Sequence, residues 1–157
     1  MSELIAGSDA CALVTVSNST VRENPSGDVK FFIHYAVKVD DLFYGNLPKE
    51  FEIRVPAVSS DGGAAPLPGS PGFTSGSSWV VFLKDLEEKG ATCNLVSLGQ
   101  GAVRVAPHPT GEEGPVAVVR FDPRGETGPG IVLVELSNLK AQIGAVRSNL
   151  SSGEGDK

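Results

Sequence analysis

The chain of 157 residues has little of what several functional classes require. It holds 13 Lys and Arg against 19 Asp and Glu, for a formal net charge of −6. Proteins that bind nucleic acids or anionic membrane surfaces need a basic surface, so we expect neither kind of partner. The sequence also contains no apolar run of the roughly 18 residues that a membrane-spanning helix needs, and we expect no membrane insertion.

Residues that carry chemistry are equally scarce. His34 and His108 are the two histidines, and neither has the neighbours that would build a catalytic triad from local sequence. No phosphate-binding loop, dinucleotide fingerprint or Gly-x-Ser-x-Gly elbow is present. The paired carboxylates, Asp40-Asp41 and Glu87-Glu88, lack the alternating oxygen spacing of a calcium loop. The sequence therefore predicts no enzyme, no metal site and no cofactor.

The two cysteines, Cys11 and Cys93, are too far apart for a zinc knuckle, and no histidine stands at ligand spacing from either. Two interpretations remain open. In the first, both cysteines are small buried core residues, since a thiol packs as a hydrophobe. In the second, they form one long-range disulfide. A bridge that closes so long a loop would stabilise the fold by roughly 4 kcal/mol.

What the chain does have is glycine, proline and alternating apolar residues. The 19 Gly and 11 Pro suit many short elements joined by turns. Alternation predicts strands at residues 11–16, 31–39, 51–55 and 92–98, the last continuing through 102–105 after a glycine kink. The continuous apolar run at 79–83 predicts a central strand that is covered on both faces. Pro56 is expected to end the third strand, and residues 57–76 to form a long loop. We predict a mainly β fold in which residues 8–106 form a small five-stranded OB-like Greek-key barrel.

The remaining residues predict an appendage at 107–150 and a disordered tail at 151–157. The appendage begins with a linker and an extra hairpin of residues 116–121 and 131–134. An amphipathic helix follows, with Ser137 as its N-cap. The apolar stripe of this helix consists of Leu136, Leu139, Ile143, Val146 and Leu150.

Two surfaces are candidates for ligand contact. The second strand has one buried face and one face that is partly in solvent, which carries Lys30, Phe32, His34 and Lys38. The second surface is the loop at 57–76, with Leu67 and the bulky Phe73 as its contact residues. We expect binding residues Phe32, His34, Lys38, Leu67 and Phe73.

The order of segments resembles a known family. The first strand, the Val37–Gly45 segment, the block Gly69–Leu83 of pattern G-x-P-x-F-x-x-G-x-x-x-x-x-F-L and the Leu98–Gly101 segment of pattern L-x-Q-G carry the resemblance. They resemble secreted bacterial domains with a netrin-like OB-fold, similar to tissue inhibitors of metalloproteinases. In the animal inhibitors a Cys-x-Cys start chelates the protease zinc. Here the chain starts Met1-Ser2-Glu3 and Cys11 has no such partner, so that mechanism is not carried over.

These observations predict a non-catalytic binding module that recognises a protein or a cell-surface component. The start of the chain lacks the features of a signal peptide. The protein is therefore either cytosolic or an exported protein whose leader has been removed, and the resemblance favours a secreted or periplasmic location. One alternative is a structural subunit of a surface polymer, in which Leu139, Ile143 and Val146 pack on a neighbour. The other is an inhibitor-like protein that blocks a protease with a loop.

Overall fold

The computed structural model describes residues 1–85, 92–107, 109–111, 114–120 and 131–153. The expected mainly β architecture is confirmed. The helices and strands of the described part are α1 (Ser2–Ala6), β1 (Ala10–Glu23), β2 (Phe31–Tyr44), β3 (Glu50–Ser60), β4 (Gly63–Pro66), β5 (Ser78–Lys84), β6 (Thr92–Leu95), β7 (Ala102–Ala106), β8 (Val116–Arg120), β9 (Ile131–Glu135) and α2 (Leu136–Gly153).

Within the described part, all nine strands belong to one sheet, in the order β1-β2-β3-β6-β5-β7-β8-β9, with β4 paired to β3. Strand β1 also pairs with β5. The pairing that leaves β1 through β2, β3, β6 and β5 therefore returns to β1. The β3–β6 pairing is parallel, and the other pairings of this circuit are antiparallel.

The apolar side chains of the strands pack into two clusters, which lie on opposite faces of the sheet. The first lies between the strands of the circuit and includes Ile33, Ile53 and Val81. The second lies between the sheet and the two helices and includes Phe82 and Ile143. Strands β1 and β5 contribute side chains to both clusters. This explains the continuous apolar run of β5, which is covered on both faces as its sequence predicted.

The region expected to be a loop at 57–76 is partly a hairpin. Strand β3 continues through Pro56 to Ser60 and pairs with β4, and the glycines of this turn, Gly62 before β4 and Gly63 at its start, have φ of +96° and +148°. The Pro56 carbonyl accepts a hydrogen bond from the Leu67 backbone at 3.2 Å, on the side away from β2. The missing N–H of Pro56 points to that same side, so it removes no hydrogen bond to β2. This is why the proline does not end the strand.

Strand β1 also runs beyond its expected end. It passes through a bulge between Val16 and Asn18 and continues to Glu23, although all seven residues from Ser17 to Glu23 are exposed. This segment carries polar residues on both faces, so its sequence shows no alternation of apolar and polar residues. It is extended because it pairs with β2.

Helix α2 begins at Leu136, directly after β9, so Ser137 lies in its first turn and is not the N-cap. Leu139 and Ile143 are fully buried in the second cluster, whereas Leu150 at the far end of the stripe is 38% exposed. The helix extends to Gly153, three residues into the segment expected to be a tail. Residues 154–157, like His108, lie outside the described residues.

Candidate functional site

The even-numbered residues of β2 and β3 point away from the first cluster and form one surface with the outer half of β1 and with β6. Register brings the side chains together: Phe32 lies opposite Arg22 and Pro56, His34 lies opposite Arg54, and Arg54 lies opposite Asn94. We call this surface the strand face and define it by Arg22, Phe32, His34, Glu52, Arg54 and Asn94.

Glu52 is the centre of the first half of the strand face. Its Oε2 lies 2.9 Å from His34 Nδ1, and its Oε1 accepts a hydrogen bond from an Arg22 terminal nitrogen at 3.1 Å. The His34 side chain is 10% exposed, whereas those of Glu52 and Arg22 are 30% and 51% exposed. A carboxylate with both oxygens in use holds the imidazole in one orientation. We conclude that this half of the face is rigid and nearly neutral in charge.

Arg54 and Phe32 form the second half. The Arg54 Cζ lies 4.9 Å from the centroid of the Phe32 ring, a cation–π contact. Arg54 Nε donates to Asn94 Oδ1 at 3.1 Å, and Asn94 Nδ2 donates to Asp85 Oδ2 at 3.2 Å. The guanidinium is therefore fixed both by the ring below it and by the amide beside it.

The structure brings together two of the five residues expected to bind ligand and separates the other three. Phe32 and His34 lie on the strand face. Lys38 is exposed farther along β2, opposite Glu50. Leu67 follows β4 and is half-buried.

Phe73 lies in the protein core and offers no contact surface. It is 6% exposed, and its ring packs edge-on against Tyr35 at 5.0 Å and against Trp79 at 4.9 Å between centroids. The sequence showed one bulky residue in a segment of small ones. Such a residue serves as an anchor that fastens the segment to the core.

The strand face also contains residues that the sequence did not single out, namely Arg22, Glu52, Arg54 and Asn94. Two of them, Glu52 and Arg54, are visible in the sequence as the polar side of the clean alternation of β3. Their grouping depends on which strands are neighbours, and the parallel β3–β6 pairing joins segments that are far apart in sequence.

Cys11 and Cys93 are both buried thiols, and they belong to different clusters. Cys11 packs in the second cluster with Phe82, whereas Cys93 packs in the first with Ile53. Burial raises the pKa of the Cys11 thiol to about 12 from an ordinary value of 9.0, because the thiolate would lose its hydration. A thiol in this environment is a poor nucleophile and a poor metal ligand.

Three further findings complete the description of the chain. The described residues contain no group of three or more His, Cys, Asp or Glu side chains that could hold a metal ion. Neither described helix is both long and apolar enough to cross a bilayer. Comparison with protein-family models, with curated proteins and with solved structures gives no match.

Proposed function

We propose that this chain is a non-catalytic binding module that acts outside the cytoplasm, in a secreted or periplasmic setting, and recognises a protein or a cell-surface component through the strand face. The observation that carries the proposal is the half-buried Arg54–Phe32 pair, which lies beside the Glu52 network on the strand face. Arginine and aromatic residues are enriched at the centres of protein interfaces. A side chain fixed before binding loses little entropy when a partner docks.

The strand pairing supports a finer proposal, that residues 8–106 form an OB-like Greek-key barrel with a netrin-like layout. This proposal is supported by the closed circuit of five strand pairings, of which one, β3–β6, is parallel. In OB-folds the face of the second and third strands, together with adjacent loops, binds oligonucleotides and oligosaccharides. The strand face lies on β2 and β3, so fold and surface chemistry favour the same site.

The packing of α2 bears on the alternative role as a subunit of a surface polymer. In that role Leu139, Ile143 and Val146 would contact a neighbouring molecule. Leu139 and Ile143 are instead 1% and 0% exposed within the chain, and Val146 packs against the same cluster. The stripe is already covered, so we favour the strand face over the helix as the contact surface.

Capture from the native culture medium or envelope fraction, read by mass spectrometry, tests the proposal. The wild-type chain, Phe32→Ala and Leu133→Ala are immobilised in equal amounts. Leu133 is 43% exposed on β9, away from the strand face, and serves as the matched control. We expect Phe32→Ala to lose the partner that the wild type and Leu133→Ala retain, with circular dichroism unchanged in all three. Equal capture by Phe32→Ala would overturn the assignment of the site.

A further inference from the structure

We propose that the partner of the strand face is an extended acidic segment of a protein, which places a carboxylate on Arg54 and, two residues along, an apolar side chain over Pro56 and Val58. The inference rests on the function proposed above and adds the chemistry of the partner. It follows from three features of the face: a fixed guanidinium, a neighbouring carboxylate that is already paired, and an exposed apolar strip at strand spacing.

The described residues fix the guanidinium of Arg54 but use only part of its hydrogen-bonding capacity. Its Nε donates to Asn94, and its Cζ lies over the Phe32 ring at 4.9 Å from the ring centroid. The described residues place no carboxylate within ion-pair distance of Arg54. They also supply no hydrogen-bond acceptor to its two terminal amino groups. A planar guanidinium in this state is ready to bind a carboxylate with two parallel hydrogen bonds.

The acidic residue beside Arg54 does not compete for it. Both carboxylate oxygens of Glu52 are taken by His34 and Arg22, at 2.9 and 3.1 Å. The chain as a whole carries a net charge of −6, so most of its surface disfavours an anionic ligand. Arg22 is paired with Glu52, and Asp85 accepts a hydrogen bond from Asn94, so Arg54 is the cation of the strand face that no described carboxylate pairs.

The apolar strip defines the second half of the segment. Arg54, Pro56 and Val58 occupy alternate positions on one face of β3, so neighbouring positions are about 6.8 Å apart. Phe32 lies opposite Pro56, and Val58 is 45% exposed. Side chains at i and i+2 of an extended peptide have the same spacing. The spacing of Arg54 and the apolar strip thus matches a peptide that has an acidic residue and, two positions later, an apolar residue.

The experiment is an NMR titration of the ¹⁵N-labelled chain with two capped peptides, Gly-Asp-Thr-Leu-Thr-Gly and the same peptide with Asn for Asp. A galacturonate oligosaccharide, whose carboxylates lie on a sugar chain, forms a third arm. The variants are Arg54→Met, which keeps the length but removes the charge, and Arg104→Met, a matched change at an exposed arginine on β7.

We expect the Asp peptide to shift the Arg54 Nε and Phe32 amide signals and to bind at least tenfold more tightly than the Asn peptide (order of magnitude for one charged contact). Arg54→Met should abolish this preference, and Arg104→Met should leave it intact. Equal binding of the two peptides, or no shift on the strand face at millimolar peptide, would overturn the inference. Tighter binding of the galacturonate would overturn the peptide proposal and identify a polysaccharide as the partner of the strand face. Either result leaves the proposed function standing, because that function fails only if Phe32→Ala captures the native partner normally.

Discussion

Ile143 and Gly144 are neighbours in α2, and replacement of each by alanine should change stability in opposite directions. Ile143 is fully buried between the helix and the sheet. Ile143→Ala removes three carbon atoms, worth about 2.4 kcal/mol in transfer free energy. The cavity left behind adds to this, because the surrounding sheet relaxes only in part. We expect a loss of about 3–4 kcal/mol in the free energy of unfolding.

Gly144 is exposed, and a Cβ added there meets no atom within 4 Å. Gly144→Ala therefore adds no strain and removes the helix penalty of glycine. We expect a gain of about 1 kcal/mol. Both substitutions create alanine in the same helix turn and both raise helix propensity, so the opposite sign expected for Ile143→Ala comes from lost burial.

Urea unfolding read by two probes measures both effects. Trp79, the single tryptophan, reports the first cluster by fluorescence, and circular dichroism at helix wavelengths reports α2. Because β1 and β5 contribute to both clusters, the two probes should give one coincident transition in each variant. A fluorescence transition that stays in place while the helix signal moves would refute this coupling. A loss below about 1 kcal/mol in Ile143→Ala would refute the burial argument.

Three further predictions concern single sites. Arg22→Ala should cost less than about 1 kcal/mol in urea unfolding, because the side chain is 51% exposed and solvent screens its ion pair; a loss of several kcal/mol would contradict the weak pairing. The raised pKa of Cys11 stabilises the fold fully below about pH 9, and this contribution is lost as pH rises toward about 12, by at most about 4 kcal/mol. Urea midpoints across this range should fall more steeply for the wild type than for Cys11→Ala, and parallel slopes would rule out the thiol as the cause. Gly45→Ala should cost about 2 kcal/mol or more, since φ is +88° and a Cβ would lie 2.6 Å from the Asp9 carbonyl oxygen. Gly72→Ala, where a Cβ meets nothing within 4 Å, is the control, and equal melting temperatures of the two variants would contradict the clash.

The part of the fold that the sequence predicted is the part encoded locally. Alternation predicted a strand at residues 51–55, and its apolar residues Phe51, Ile53 and Val55 all lie in the first cluster. The hairpin of β4 escaped prediction because Gly63–Pro66 has no bulky residue from which a period can be read. Its strand character depends on pairing with β3.

The site was predicted in part for the same reason. Phe32 and His34 were expected on one face of a strand, which is a statement about a single segment. The partners that fix them are Glu52 and Arg54 on β3 and Asn94 on β6. Those partners are set by register between strands that are distant in sequence. Phe73 was assigned to the surface because burial of a side chain in a loop depends on the packing beneath it.

The two neighbours of β1 have consequences for the order of folding. Leu13 pairs with Asp41 in β2 and with Val80 in β5, so one strand makes both a short-range and a long-range contact. The entropy lost on closing a loop grows with its length. The β1-β2-β3 meander is therefore expected to form early, and the β1–β5 and β3–β6 contacts to form last. Until they form, the edges of β1 and β3 are open to other chains, so the yield on refolding should fall as protein concentration rises.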